Sequence, residues 1–301
     1  MVSTIGELAA LATAFCWTVS ALCWTAAGRR VGSLAVNIVR LLIALPMFLL
    51  YNQLVLGEMV PFSASPHAWG WLSLSGVAGF FLCDLFFFRS FLLIGPRRAL
   101  LIFSMAPPLS ALFGWILLEE HLTRWNWIGM ATTLAGILWV ILESSDRGTE
   151  GAEGEQRRMV RGGVYAFLAA VAQGLATVLC KVGMRDLTSP VAGTEIRLIS
   201  GLACFLVLIP LLGRQGQVVR ALRDGPAMAI MTLGAFVGPF VGVSLLLFAV
   251  KLIPAALAQT FVSLSPVLII PASAVVFKER ISARAVGGAG LAVLGVALLF
   301  L

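Results

Sequence analysis

The sequence predicts an all-α polytopic membrane protein, with ten transmembrane helices arranged as two inverted five-helix repeats. Three observations carry that prediction. The 301 residues are 60% hydrophobic and 12% charged, with a mean hydropathy of +1.00. That balance calls for lipid rather than water around much of the surface. Four landmarks then recur at one offset: Pro107, Glu120, Gly129 and Gly136 answer to Pro266, Glu279, Gly288 and Gly295, each pair 159 residues apart. Four preserved spacings mark a duplicated unit. Finally, each copy holds an odd number of apolar runs, so the second copy enters the bilayer from the opposite side. Such inverted repeats place a binding site between the halves, near the midplane.

Runs long enough to cross a hydrocarbon core of about 30 Å fall at 5–27, 33–52, 69–93, 99–118 and 125–142. The second set falls at 162–184, 191–212, 226–249, 255–277 and 283–301. The first run follows no basic segment of the kind that opens a cleavable signal, so it stays as a membrane helix. The second carries Arg40, matched by Arg197 in the seventh. The third begins at Trp69 and Trp71, the fifth at Trp125 and Trp127, where interfacial indoles belong. Pro96 precedes the fourth run as Pro254 precedes the ninth. Pro107–Pro108 and Pro266 interrupt hydrogen-bond ladders inside those runs, which lipid tolerates only where neighbours or a cavity satisfy the freed carbonyls. Gly129 and Gly136, with Gly287, Gly288, Gly290 and Gly295, give the fifth and tenth runs small faces for close packing. The division that follows is a first unit 1–142, a solvated linker 143–161 (ESSDRGTEGAEGEQRRMVR) and a second unit 162–301.

The net charge of +7 is no nucleic-acid footprint, because the arginines fall singly or in pairs between apolar runs, as topology signals do. Alternate connections hold fourteen basic residues against three, or four with Lys181, on the opposite side. The positive-inside rule then puts both termini outside the cytoplasm and the linker inside. The five cysteines sit within apolar runs without a metal or disulfide spacing. No HExxH, GxSxG or Walker A motif is present, so neither catalysis, a metal, a cofactor nor ATP-driven pumping is expected.

Charges inside apolar runs are the first site candidates, since each costs at least about 2.5–3.5 kcal/mol at the bilayer centre. Arg40 and Arg197 lie at matching depths, about 10 Å into their helices, and serve either substrate anions or snorkelling and ion pairing. Asp84 is either a proton-coupling carboxylate or the counter-ion of Arg40 or Arg89; the excess of bases argues for the ion pair. Arg89, Lys181 and Lys251 are near helix ends, where snorkelling suffices. Glu195 is two residues from Arg197, so the two do not face one another and each needs its own partner. Polar and aromatic faces come second. Thr13, Trp17, Ser20 and Trp24 share one face of the first helix; Trp17 aligns with Gln173, one turn from Thr177; Gln259 and Ser263 form a similar face on the ninth. All eight tryptophans fall in the first half, which makes the two halves chemically unequal. Glu120 and Glu279 read as holding the turn into the last helix of each unit.

The segments APPLSALFGWILLEEHLTRWNWIGMATTLAGILWVIL (106–142) and SPVLIIPASAVVFKERISARAVGGAGLAVLGVALLFL (265–301) resemble the end of an EamA-type unit of the drug/metabolite transporter superfamily, and two units cover nearly the whole chain. The resemblance implies ten helices around a central cavity, lined by the first four of each unit, with the fifth and tenth outside. It implies both termini in the cytoplasm, against the charge count. The expected function is a secondary transporter in the inner membrane, moving small polar or amphiphilic metabolites by alternating access as a monomer or homodimer, with a proton or ion as a further option for coupling. The excess of buried bases favours anionic or zwitterionic substrates such as amino acids. A non-transporting scaffold or an intramembrane enzyme is the contrasting reading; matched polar faces argue against the former, the missing nucleophile–base pair against the latter.

Overall fold

A computed structural model describes residues 2–143, 153–187, 189–265, 267–268 and 283–299, and among these the chain is helical without strands. Pro266 and Glu279, two of the repeated landmarks, lie outside the described residues. The first unit holds α1 (Val2–Val31), α2 (Ser33–Leu56), α3 (Pro66–Gly76), α4 (Asp84–Phe103), α5 (Ala106–Leu118) and α6 (Arg124–Glu143). The second holds α7 (Glu153–Gly183), α8 (Pro190–Leu211), a short α9 (Gln215–Leu222), α10 (Gly225–Ala235), α11 (Ser244–Leu252), α12 (Ala255–Val262) and α13 (Ala283–Leu299). Six stretches among the described residues are long and apolar enough to span a bilayer: Thr4–Gly28, Leu34–Leu56, Pro66–Ser90, Arg157–Gly183, Pro190–Leu211 and Gly225–Leu252; Ala106–Leu118 is apolar but shorter. Leu54, Val207, Leu211 and Leu294 are all more than half exposed, a surface suited to lipid. This is a multi-pass membrane protein.

Two π-helical stretches, Val77–Cys83 and Phe236–Val243, join α3 to α4 and α10 to α11. They occupy repeat-related positions. A π turn widens the helix and frees local carbonyls: Gly242 O accepts the Thr13 hydroxyl of α1 at 3.2 Å. The helix that starts at Pro66 is capped by the Ser65 hydroxyl, and the one at Gly225 by the Asp224 carboxylate, as the preference for short polar caps dictates.

Two boundaries differ from the expected ones. The break anticipated near Pro96 is absent, since α4 runs on to Phe103. In lipid, continuing the helix keeps amide groups bonded that a break would leave bare. Pro107 and Pro108 instead fall in the first turn of α5, where a missing N–H costs nothing. In the second unit the break does come at Ile253–Pro254, with Ile253 extended (φ −129°, ψ 163°). The linker is also shorter than expected, because α7 begins at Glu153. Extending an existing helix gains a bond for each residue fixed, and Glu, Gln, Arg and Met are good helix formers.

The units are interlocked. α3 of the first packs on α7 and α8 of the second, while α10 of the second packs on α1 and α2 of the first. At one crossing, a Cβ on Gly76 would collide with the Arg197 carbonyl oxygen of α8; at another, a Cβ on the repeat-related Gly234 would meet Cys23 Cβ of α1 at 2.9 Å. Phe81–Phe205 and Phe48–Phe240 form repeat-related edge-on pairs with centroids 5.0 and 4.9 Å apart. α6 and α13 pack on each other through Gly136 and Gly295, whose Cα atoms face Ala292 and Thr133 backbone so closely that any side chain would clash. The repeated glycines therefore fasten these two helices together. One apolar core, with Leu41, Phe48, Leu72, Ile196, Phe205 and Phe261, spans both units.

Candidate functional site

The polar groups that the sequence singled out differ in how far their partners satisfy them. Arg40, on α2, donates from Nη2 to Asp84 Oδ2, the first residue after the π turn. Both side chains are nearly buried, at 11% and 15% exposure; the guanidinium lies 5.6 Å from the Trp24 ring centroid, and Arg40 Nε is buried without a hydrogen-bond partner. Of the two counter-ions open to Asp84, the structure selects Arg40; Arg89 is exposed.

Arg197, the repeat partner of Arg40, is 3% exposed on α8. Its guanidinium stacks 5.3 Å from the Phe80 centroid, and Nε and Nη1 are buried without hydrogen-bond partners. The residue that follows the second π stretch, at the place of Asp84, is Ser244. Its hydroxyl meets Thr194 Oγ1 at 3.4 Å and carries no charge. A buried, unpaired guanidinium is costly, and its free N–H groups fit a planar anion.

Glu195, on the same turn, is fully buried. Its Oε2 accepts from Asn52 Nδ2 of α2, while Glu195 Oε1 and Asn52 Oδ1 have no partner. Asn52 was not anticipated; the amide pair Asn52–Gln53 at the end of an apolar run was its signal. Gln173 and Gln259 come together, Gln173 Nε2 donating to Gln259 Oε1 at 3.3 Å and Thr177 Oγ1 donating to the same oxygen at 3.1 Å. This network ties α7 to α12. Trp17 is half-buried, with its Cδ1 beside Gly242 and its indole N–H buried without a partner.

Lys181 does not snorkel. Its Nζ lies 2.5 Å from Glu120 Oε1 and donates to Ile253 O at 2.6 Å, and Glu120 Oε2 accepts the Ala255 N–H at 3.2 Å. Glu120 therefore does more than hold its turn: it joins the end of α5 to the end of α7 and to the α11–α12 break. Lys251 donates to Leu187 O at 2.8 Å.

The assembled geometry holds a bare guanidinium, a carboxyl–amide pair with two unfilled acceptors and a buried amide network, all between helices of different units or beside their crossings. The chain is similar to a protein of known structure described only as "Crystal structure of protein", with a TM-score of 0.75 over 97% of this chain and 94% of that one. At 20% identity that likeness is one of fold. No curated protein matches the sequence. The profile of the EamA-like transporter family matches residues 4–142 and again 160–301, so this chain belongs to the EamA-like transporter family.

Proposed function

We propose that the chain is a secondary transporter of small polar or amphiphilic metabolites that carry negative charge, anionic or zwitterionic as amino acids are. Two inverted five-helix halves, 1–142 and 162–301, give alternating access to a central cavity in a ten-helix protein of the inner membrane, acting as monomer or homodimer. Catalysis plays no part in this reading. One observation carries the substrate charge: Arg197 is buried between the units with two nitrogens unpartnered. A bound carboxylate would satisfy both the charge and the donors. Arg40, Asp84, Trp17, Gln173 and Gln259 supply the surrounding polar and aromatic walls. The basic connections support termini outside the cytoplasm, which a C-terminal fluorescent fusion that glows only in the cytoplasm tests directly.

The decisive experiment is uptake into proteoliposomes holding the purified chain, with radiolabelled amino acids, a dicarboxylate and a lipophilic cation. Saturable uptake of an anionic or zwitterionic compound, with the cation left outside, is expected. Uptake of the cation alone overturns the charge assignment, and no uptake above empty vesicles favours the scaffold reading.

A further inference from the structure

The Glu195–Asn52 contact lacks one atom. A carboxylate offers only acceptors, and an asparagine side chain offers two N–H donors and one oxygen. One N–H of Asn52 goes to Glu195 Oε2. What remains is an unfilled acceptor on each side chain, Glu195 Oε1 and Asn52 Oδ1, both buried. Leaving a buried acceptor bare costs about 1–3 kcal/mol, more when it is charged, so two on one contact is an unstable inventory. A single proton on Oε1 repairs both, because it turns that oxygen into a donor while Asn52 Oδ1 is the acceptor in want of one. Carboxylic acid and amide then hold each other by two bonds.

Among the described residues the surroundings supply no cation instead. Arg197 is two residues along α8 and so points elsewhere, with Nε and Nη1 still bare. On the elements packed against α8, Arg40 is committed to Asp84, His67 to Asp186 and Lys251 to the Leu187 carbonyl. Tyr51 packs its ring on Phe240. Cys83 closes the first π stretch, and the second has no titratable residue. The charged group that bears on Glu195 is another acid, Glu58, just past α2 and itself bonded by Ser63.

We infer that Glu195 is a proton-binding site, its proton shared with Asn52, and that this proton is the ion coupled to transport. The coupling rests on the transport reading above; the proton site does not. On binding, the carboxylate takes one proton from the medium on one side, and it releases the same proton to the other. Since Arg197 and Glu195 occupy one turn of α8, a monoanion and a proton would enter the same interface together and cross without net charge.

Two measurements separate the claims. Infrared spectra of the reconstituted protein at neutral pH should contain a buried protonated-carboxyl band that Glu195→Gln lacks. Glutamine mimics the protonated acid, so this variant should also keep its melting temperature as the medium turns alkaline, whereas the wild type loses stability. Identical spectra overturn the proton site, and so does stabilisation by sodium ions with no such band, which would assign the two oxygens to a metal cation. For coupling, vesicles loaded with a pH-sensitive dye should acidify as the wild type takes up whichever anionic or zwitterionic probe the proteoliposome assay finds transported. Uptake without acidification overturns the coupling while leaving transport intact. Glu195→Gln should show no acidification per substrate moved, and a ratio equal to wild type overturns the assignment. If that variant does not transport, Glu195→Asp decides: acidification with an altered pH dependence supports the site, and an unaltered dependence overturns it. Absence of all uptake in the wild type would fail the transport reading, and the infrared arm would still judge the proton.

Discussion

Helices α2 and α8 set the same arginine in repeat-related places and surround it differently. Around Arg40 stand Asp84, which pairs with it, and Trp24, whose ring it covers. Around Arg197 the second π stretch is followed by Ser244 where the first is followed by Asp84, Cys180 takes the place of Trp24, and Nε and Nη1 go unfilled. An aromatic contact between the halves nonetheless repeats, Phe81–Phe205 being answered by Phe48–Phe240, and the repeat-related Gly76 and Gly234 each sit at a close crossing, on α8 and α1 respectively. Duplication has kept the shape of the contact and let its charge diverge. One arginine has a carboxylate partner within the fold, and the other is buried without one.

That contrast makes opposite forecasts for stability and transport. Arg40→Met strips Asp84 of its partner and leaves a nearly buried carboxylate alone. Breaking a buried pair from one side costs about 3–5 kcal/mol, so a large fall in melting temperature is expected. Arg197→Met removes a buried charge that has no partner, and the fold should keep or gain stability while uptake drops at least 100-fold. Thermal unfolding in detergent, read beside proteoliposome uptake, checks both. Equal losses of stability in the two variants would show that Arg197 is also bound into the fold and end the distinction.

The glycine crossings sharpen the comparison at smaller scale. At Gly76 the obstacle is the Arg197 backbone itself, with its Cα 2.6 Å from an added Cβ; at Gly234 the nearest atoms belong to the Cys23 and Trp24 side chains at 2.9 Å. Cys23 Cβ moves only with its own backbone, but at Gly234 the added Cβ stops 2.9 Å from its nearest neighbours, farther than at Gly76, so a smaller shift relieves it. Gly76→Ala should therefore cost about 1–3 kcal/mol, in the range of core overpacking, and Gly234→Ala measurably less. Comparable shifts in unfolding midpoint would mean that the two crossings are equally rigid.

The sequence announced the duplication through Gly129, Gly136, Gly288 and Gly295, and these residues do pack the sixth and last helices of the structure against each other. Periodic landmarks are legible because close backbone approach demands one residue type at one spacing. It also narrowed Asp84 to two partners, of which one proved right. Partners across units were beyond it: Glu120 and Lys181, or Asn52 and Glu195, are 61 and 143 residues apart, and nothing local links them. The π stretches were equally hidden, because an extra residue per turn leaves an apolar run looking like any other. The passage through Pro96 was missed because proline usually ends helices in water, where a freed carbonyl finds a solvent donor.

The finest test concerns the two helix caps, again a repeated position with different chemistry. Ser65 accepts the Ala68 N–H at 3.1 Å and Asp224 accepts the Ala227 N–H at 2.9 Å, each satisfying a first-turn donor. Serine does so at any pH. Asp224 does so as a carboxylate: the Ala227 N–H, and then Arg30 at 3.3 Å, hold its pKa below the ordinary value of 3.8. A group with a lowered value stabilises the fold above the ordinary range, and that contribution fades as the pH falls through the lowered value. The first turn of α10 should thus loosen in acid while the first turn of α3 does not. Hydrogen exchange followed by mass spectrometry should show faster exchange around Ala227 at acid pH, after correction for the intrinsic rate, with no matching change around Ala68. Asp224→Ser should abolish the difference, because it gives α10 the cap that α3 already has. The effect is small, since Asp224 faces water and its pairing with Arg30 is screened by salt. If both helix starts loosen together in acid, the caps are not its cause, and protonation elsewhere in the interlocked core governs them both.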